Sequence, residues 1–232
     1  MATKFLFVIL MALAVVAGVG AVESLSAQEA SREASNRNED VVLEYLRPVI
    51  SSSGKAVRIY YRAMCHRTSN STAEAPVPFP LVNVQPPPKD KTGLAAVREI
   101  FKNDQNVTVA EEPEGIIRVW IGKVPTAILE TKLSVLALDR LEQYNQRMAI
   151  NAIKDTKEMQ AAMRSLAVLP VSDLGGLVAE ASQALPHLPA TMQDVTVDQA
   201  LDVIAKTFHH VVVYGACAEP TGPDGEKLFW IE

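Results

Sequence analysis

The stretch Val195–Val213, Val-Thr-Val-Asp-Gln-Ala-Leu-Asp-Val-Ile-Ala-Lys-Thr-Phe-His-His-Val-Val-Val, constrains the fold more than any other part of the chain. It opens with a helix start signal, continues with apolar residues at helical spacing, and ends abruptly in a β-branched run. A helix that passes straight into a strand points to the α+β class. At 232 residues, 48% hydrophobic and 21% charged, the chain can build a sizeable core around such a unit.

Upstream segments give the same mixture. Lys55–Met64 is rich in β-branched and aromatic residues and reads as a strand ending at Cys65. Leu81–Val84 reads as a short edge strand before Pro86-Pro87-Pro88, a rigid connector. Leu94, Val97, Ile100 and Phe101 predict a helix over Gly93–Asn103. Val107–Val109 and Ile116–Ile121, separated by the acidic turn Glu111-Glu112-Pro113-Glu114-Gly115, predict a hairpin. Lys123–Leu138 reads as a helical turn passing into a strand. Arg147–Ala167 is the longest predicted helix, with Ile150, Ile153, Met163 and Leu166 as its apolar stripe, ended by Pro170. Asp173–Pro189, with Gly175-Gly176 and two prolines, is a connector.

Residues 1–27 have the form of an export signal. Lys4 supplies a thin positive region, Phe5–Val16 is unbroken apolar chain, and Gly18, Gly20 and Ala21 provide small residues. An uncleaved membrane anchor is the alternative. Residues 28–53 read as a polar, flexible linker, with a helical turn at Val41–Leu46 before Arg47-Pro48, so the domain is expected to span 54–232. The net charge of −5 without a basic cluster leaves no footprint for nucleic acid.

Aligning Ala96 with Ala200 places Val97 on Leu201, Ile100 on Ile204, and Val107–Val109 on Val211–Val213. The two segments are either repeated units or two ordinary helix–strand units with loops of similar length. The run Val195-Thr-Val-Asp-Gln-Ala-Leu-Asp-Val-Ile, followed by a strand and the closing strand Leu228–Ile231, resembles the short N-terminal domain of secretins and TonB-dependent receptors. Residues 193–232 carry the resemblance, residues 92–122 are similar to its first half, and 145–168 would be a helical insertion. The Gly-Thr-Gly-Leu element common at the helix end of that family is replaced by Phe208-His209-His210. The chain is also similar to exported bacterial proteins ending in Tyr-Gly-x-Cys, here Tyr214–Cys217. The resemblance implies an envelope module that binds protein or docks in an assembly, although no channel or receptor barrel follows in this chain.

The chemistry-bearing residues are few. Cys65 and Cys217 are the two cysteines, each at the exit of a predicted strand, and an exported protein meets an oxidising compartment. A bridge between them is expected, with two buried thiols or a reactive Cys65 beside His66 as alternatives. Neighbours on a strand point to opposite faces, which disfavours the Cys65-His66 dyad. His209 and His210 read as a cap on a helix C-terminus. A metal site with His66 or His187 lacks the usual ligand spacings. Glu111, Glu112 and Glu114 fit a solvated hairpin tip better than an acid–base pair. Gly175-Gly176 lacks the context of a phosphate loop. Trp120, Phe229 and Trp230 are expected to pack in the core. The triplets at Asn70 and Asn106 match the glycosylation pattern and carry no argument.

These readings combine into an α+β protein with small mixed sheets, packed helices and helix–strand–hairpin units. The expected function is non-enzymatic. It is that of an exported envelope protein, periplasmic or extracellular or tethered to the inner membrane, which contacts an envelope protein partner. The membrane is engaged only through the N-terminal segment. Val211, Val213 and Tyr214 are the candidate interaction edge. No catalytic, cofactor-binding or metal residue is assigned. An exported enzyme with a site assembled from sequence-distant His and Glu residues is the alternative. A deep pocket gathering those groups would favour the enzyme, and an exposed strand edge the binder.

Overall fold

A computed structural model describes residues 33–34, 37–63, 65, 79–113, 115–170, 186–218 and 227–232. The export signal, His66, Glu114 and Gly175-Gly176 lie outside the described residues, as do Asn70 and its triplet. The class is α+β, as expected.

The centre of the fold is strand β1 (Ala56–Ala63), whose sequence AVRIYYRA is buried at every position except Arg62. A strand hidden on both faces needs a layer on each side, and the chain supplies them. β1 pairs in parallel with β3 (Ile116–Ile121) on one flank and with β7 (Val211–Cys217) on the other. Antiparallel β2 (Val107–Glu111) extends the sheet beyond β3. Antiparallel β8 (Lys227–Ile231) and then β5 (Val168–Pro170) extend it beyond β7, giving the order β2-β3-β1-β7-β8-β5. A second sheet pairs β4 (Lys132–Ala137) antiparallel with β6 (Thr191–Thr196).

On one face, Val57, Ile59, Tyr61 and Ala63 of β1 meet Ile117, Val119 and Val213 under two helices, α1 (37–53) and α2 (Gly93–Phe101). The other face carries α3 (Arg140–Tyr144), α4 (Gln146–Asp155), α5 (Lys157–Leu166) and α6 (Val197–Phe208). There Tyr60, Tyr214 and Phe229 share a core with Ile150, Ile153, Met159, Leu201 and Ile204, which Leu133 and Met192 of the small sheet complete.

The structure corrects several expectations. Residues 28–53 were expected to be a linker, but 37–53 form α1, with Val42, Leu46, Val49 and Ile50 buried to 4% exposure or less. These four fall at i, i+4, i+7 and i+8, an apolar stripe along one helix face. The folded part therefore begins before residue 54. Pro48 costs α1 one backbone hydrogen bond, yet burial of Val49 and Ile50 carries the helix on to Ser53. It ends at Gly54, whose φ of +64° and N–H to the Ile50 carbonyl (2.9 Å) form a left-handed cap.

Residues 81–84 are not a strand. The helix expected over Arg147–Ala167 is two helices, because Thr156 adopts extended backbone and caps α5. Its Oγ1 accepts from the Met159 N–H at 3.3 Å and donates to the Ile153 carbonyl at 2.8 Å. Pro170, expected only to end that helix, lies in β5. The hairpin β2–β3 and the strand at 132–137 form as the sequence predicts.

The stretch Val195–Val213 divides between three elements. Val195 and Thr196 close β6, Thr196 and Gln199 form a reciprocal capping box that starts α6, and Val211 starts β7. The pairs Ala96/Ala200, Val97/Leu201 and Ile100/Ile204 are all fully buried. The likeness stops at the strands that follow, since β2 is an edge and β7 lies in the interior of the sheet.

Candidate functional site

Two places concentrate polar chemistry among the described residues. The first lies beneath α6. Asp198 and Asp202 stand one helical turn apart on the face turned toward the sheet, and Arg58 of β1 and Arg118 of β3 are register partners below them. Arg58 is fully buried. Its Nη2 lies 3.0 Å from Asp198 Oδ1 and its Nη1 2.6 Å from Asp202 Oδ1, with a further 3.1 Å bond to the Asp198 carbonyl. Arg118 reaches the remaining oxygens, Asp198 Oδ2 at 2.9 Å and Asp202 Oδ2 at 2.6 Å, and Glu112 stands 3.5 Å from its Nε.

Tyr60 completes the cluster. Its hydroxyl donates to Asp198 Oδ1 at 2.8 Å and touches Arg118, its ring stacks on Trp120 at 4.0 Å, and both guanidiniums lie over that ring. Burial pushes the Tyr60 phenol well above its ordinary range, so the hydroxyl keeps its proton and acts as a donor. Burial likewise pushes the Asp202 carboxyl upward, against the pull of Arg58 and Arg118. All four carboxylate oxygens are engaged by guanidinium. The arrangement is a clamp fixing α6 across two parallel strands.

The second place is a cavity of about 760 Å³ where α4, the start of β7 and the end of β8 meet. Its apolar wall is Ile150, Phe208, Trp230 and Ile231. Polar groups come from Gln146, Arg147, Lys154 and Gln160, half-buried, and from Asn151, Asp155, His210 and Glu232, exposed. Gln146 donates its Nε2 to the Val211 carbonyl at 3.3 Å, while its Oε1 is buried without a donor. Lys154 makes no ion pair among the described residues, and its contact is with Asn151 Oδ1 at 3.5 Å. Burial holds its ammonium below the ordinary lysine range. Asp155 pulls back, Arg147 adds to the shift, and Glu232 pulls back in turn.

The residues singled out from sequence go to different places. Cys65 and Cys217 are bridged, with 5.5 Å between Cα atoms. His209 is the left-handed C-cap of α6, as expected of a capping histidine, and His210 borders the cavity. His187 is stacked on Tyr144 at 5.2 Å. Glu111 pairs with Lys55 and Glu112 with Arg118, so neither is a solitary hairpin-tip charge. Trp120, Phe229 and Trp230 all pack against the core as expected, and Trp230 also lines the cavity.

The proposed interaction edge at Val211, Val213 and Tyr214 is not an edge. β7 is paired on both sides, with β1 and β8, which leaves β2 and β5 as the outer strands. Among the described residues no group of three or more His, Cys, Asp or Glu gathers as metal ligands, and no helix is long and apolar enough to cross a membrane. The chain matches no family model, no curated protein and no solved structure.

Proposed function

We propose that this chain is an exported, non-enzymatic α+β module of the bacterial envelope, acting by contact with another envelope protein. The observation that carries the reading is the outer edge of β2, where Thr108 and Ala110 are exposed and the backbone is paired on one side only. Such an edge accepts an added strand through main-chain hydrogen bonds, with specificity from alternate side chains. The Cys65–Cys217 bridge supports an oxidising compartment. The order β6, α6, then the antiparallel pair β7–β8 follows the strand, helix and hairpin order of the short domain of secretins and TonB-dependent receptors, with β6 in the separate two-stranded sheet. In this reading β2 is the docking strand, and the clamp beneath α6 keeps the sheet rigid behind it.

The test is photocrosslinking in the native host from a benzophenone side chain placed at Thr108 or Ala110, with the exposed helix position Arg98 as control. Discrete adducts from β2 alone, in an envelope fraction, are expected. Adducts equally frequent from Arg98, none from β2, or protein recovered only in the cytosol, would each overturn the proposal.

A further inference from the structure

The cavity beside α4 has the makings of a small-molecule site that the protein-contact reading does not use. Its volume of about 760 Å³ lies in the range of ligand pockets, and its lining combines an apolar wall with a few convergent polar groups. Trp230 and Phe208 contribute two aromatic surfaces, with Ile150 and Ile231 beside them. Such a wall suits a flat apolar body.

Lys154 decides the polarity of the ligand. Lys154 and Arg147 are the half-buried cations of the lining, and of the two Lys154 forms no ion pair among the described residues and has a 3.5 Å contact with Asn151 at the limit of a hydrogen bond. A shielded ammonium without a carboxylate partner gains most from an anion that brings one. Asp155 and Glu232 line the same cavity and are exposed, and Glu232 Oε2 already accepts from the Trp230 indole at 3.1 Å. Arg147 and Lys154 only balance these two negative charges, so the lining holds no surplus cation for a second negative charge on the ligand, and phosphates and dicarboxylates fit poorly. We propose that this cavity binds a small monocarboxylate with a flat apolar body, its carboxylate on Lys154 and its body against Trp230 and Phe208.

The test titrates the oxidised protein with naphthalene-2-carboxylate, with the neutral isostere naphthalene-2-carboxamide, and with the cation naphthalen-2-ylmethylammonium, followed by ¹H–¹⁵N NMR. Carboxylate-induced shifts are expected at the amides of Asn151, Lys154 and His210 and at the Trp230 indole. The carboxylate should bind about tenfold tighter than the carboxamide, the gain of one charge-assisted hydrogen bond. Lys154→Gln should abolish that preference while leaving the remaining spectrum in place, and Lys154→Arg should retain it. Equal affinity for the carboxylate and its isostere, preference for the cation, or no binding of any probe would overturn the proposal. So would a preference that survives Lys154→Gln, or shifts confined to the shallow depression at Arg98 and Lys102.

Discussion

Gly215 has no side chain because Tyr61 occupies the space. A Cβ at Gly215 would stand 2.2 Å from Cζ of the Tyr61 ring, and that ring is 1% exposed and has nowhere to go. Gly215→Ala should cost about 1–3 kcal/mol, the usual penalty for overpacking. The lower midpoint should appear in a guanidinium denaturation curve, and combining it with Tyr61→Leu should recover part of the loss. Arg58 is the converse case, a buried group whose removal leaves charge behind. Arg58→Met strands two carboxylates against a single guanidinium, and an effect of about 3–5 kcal/mol is expected by the same measurement. Pairing it with Asp202→Leu should restore stability in part, since the stranded charge is then gone. An effect below 1 kcal/mol for Arg58→Met would mean that water reaches the cluster freely.

At the scale of the element, α1 depends on pH. Glu39 sits near the start of its ordered turns, and burial, with Glu232 and Asp40 beside it, pushes its carboxyl up to about 7. The folded state therefore keeps this proton to near neutrality, whereas the unfolded chain releases it near 4.5. Between those values the folded state binds more protons, so its stability falls as pH rises and levels off above 7. Denaturation midpoints measured from pH 4 to 8 should decline across that window, and Glu39→Gln should flatten the decline. An unchanged slope in the variant would assign the pH dependence elsewhere.

The same element shows how much the sequence disclosed. Strands β1, β2 and β3 and helices α2 and α6 are legible because each has an unbroken local period and a boundary signal. Of α1 only the turn at Val41–Leu46 is legible, because the residues before it are polar and Pro48 suggests a stop that the core overrides. The break at Thr156 is a single capping hydroxyl inside a run of strong helix formers. The clamp did leave a trace, in two arginines within otherwise apolar strands and two aspartates at i and i+4. Its meaning depends on β1 and β3 lying in register, which no local pattern encodes. The cavity left less, because its walls come from α4, β7 and β8 and become neighbours only through the order of the sheet. The edge was misplaced for the same reason: Val211–Tyr214 reads as a strand correctly, but its neighbours are chosen by topology.

For the molecule as a whole, the bridge joins strands adjacent in space and distant along the chain, since Cys217 is the register partner of Ala63 and Cys65 lies just beyond it. Loop closure over a separation of 152 residues gives such a link a ceiling of about 5 kcal/mol. It also divides the protein mechanically. α1 and β1 lie before the ring and β8 after it, while β2 to β7 and all the remaining helices lie within. Tension applied between the two ends of the chain passes from β1 through the sulfur atoms to the last strand and bypasses the enclosed segment. In single-molecule pulling, the oxidised protein should release only the short outer lengths. Adding a reductant should free the enclosed 152-residue span, roughly 500 Å of further extension. A tether at the N-terminus and a partner at the C-terminus would thus pull on a covalent shortcut. The load would strip β1, which carries Arg58 and Tyr60 of the clamp, and β8, which carries Trp230 of the cavity, while the enclosed segment is spared.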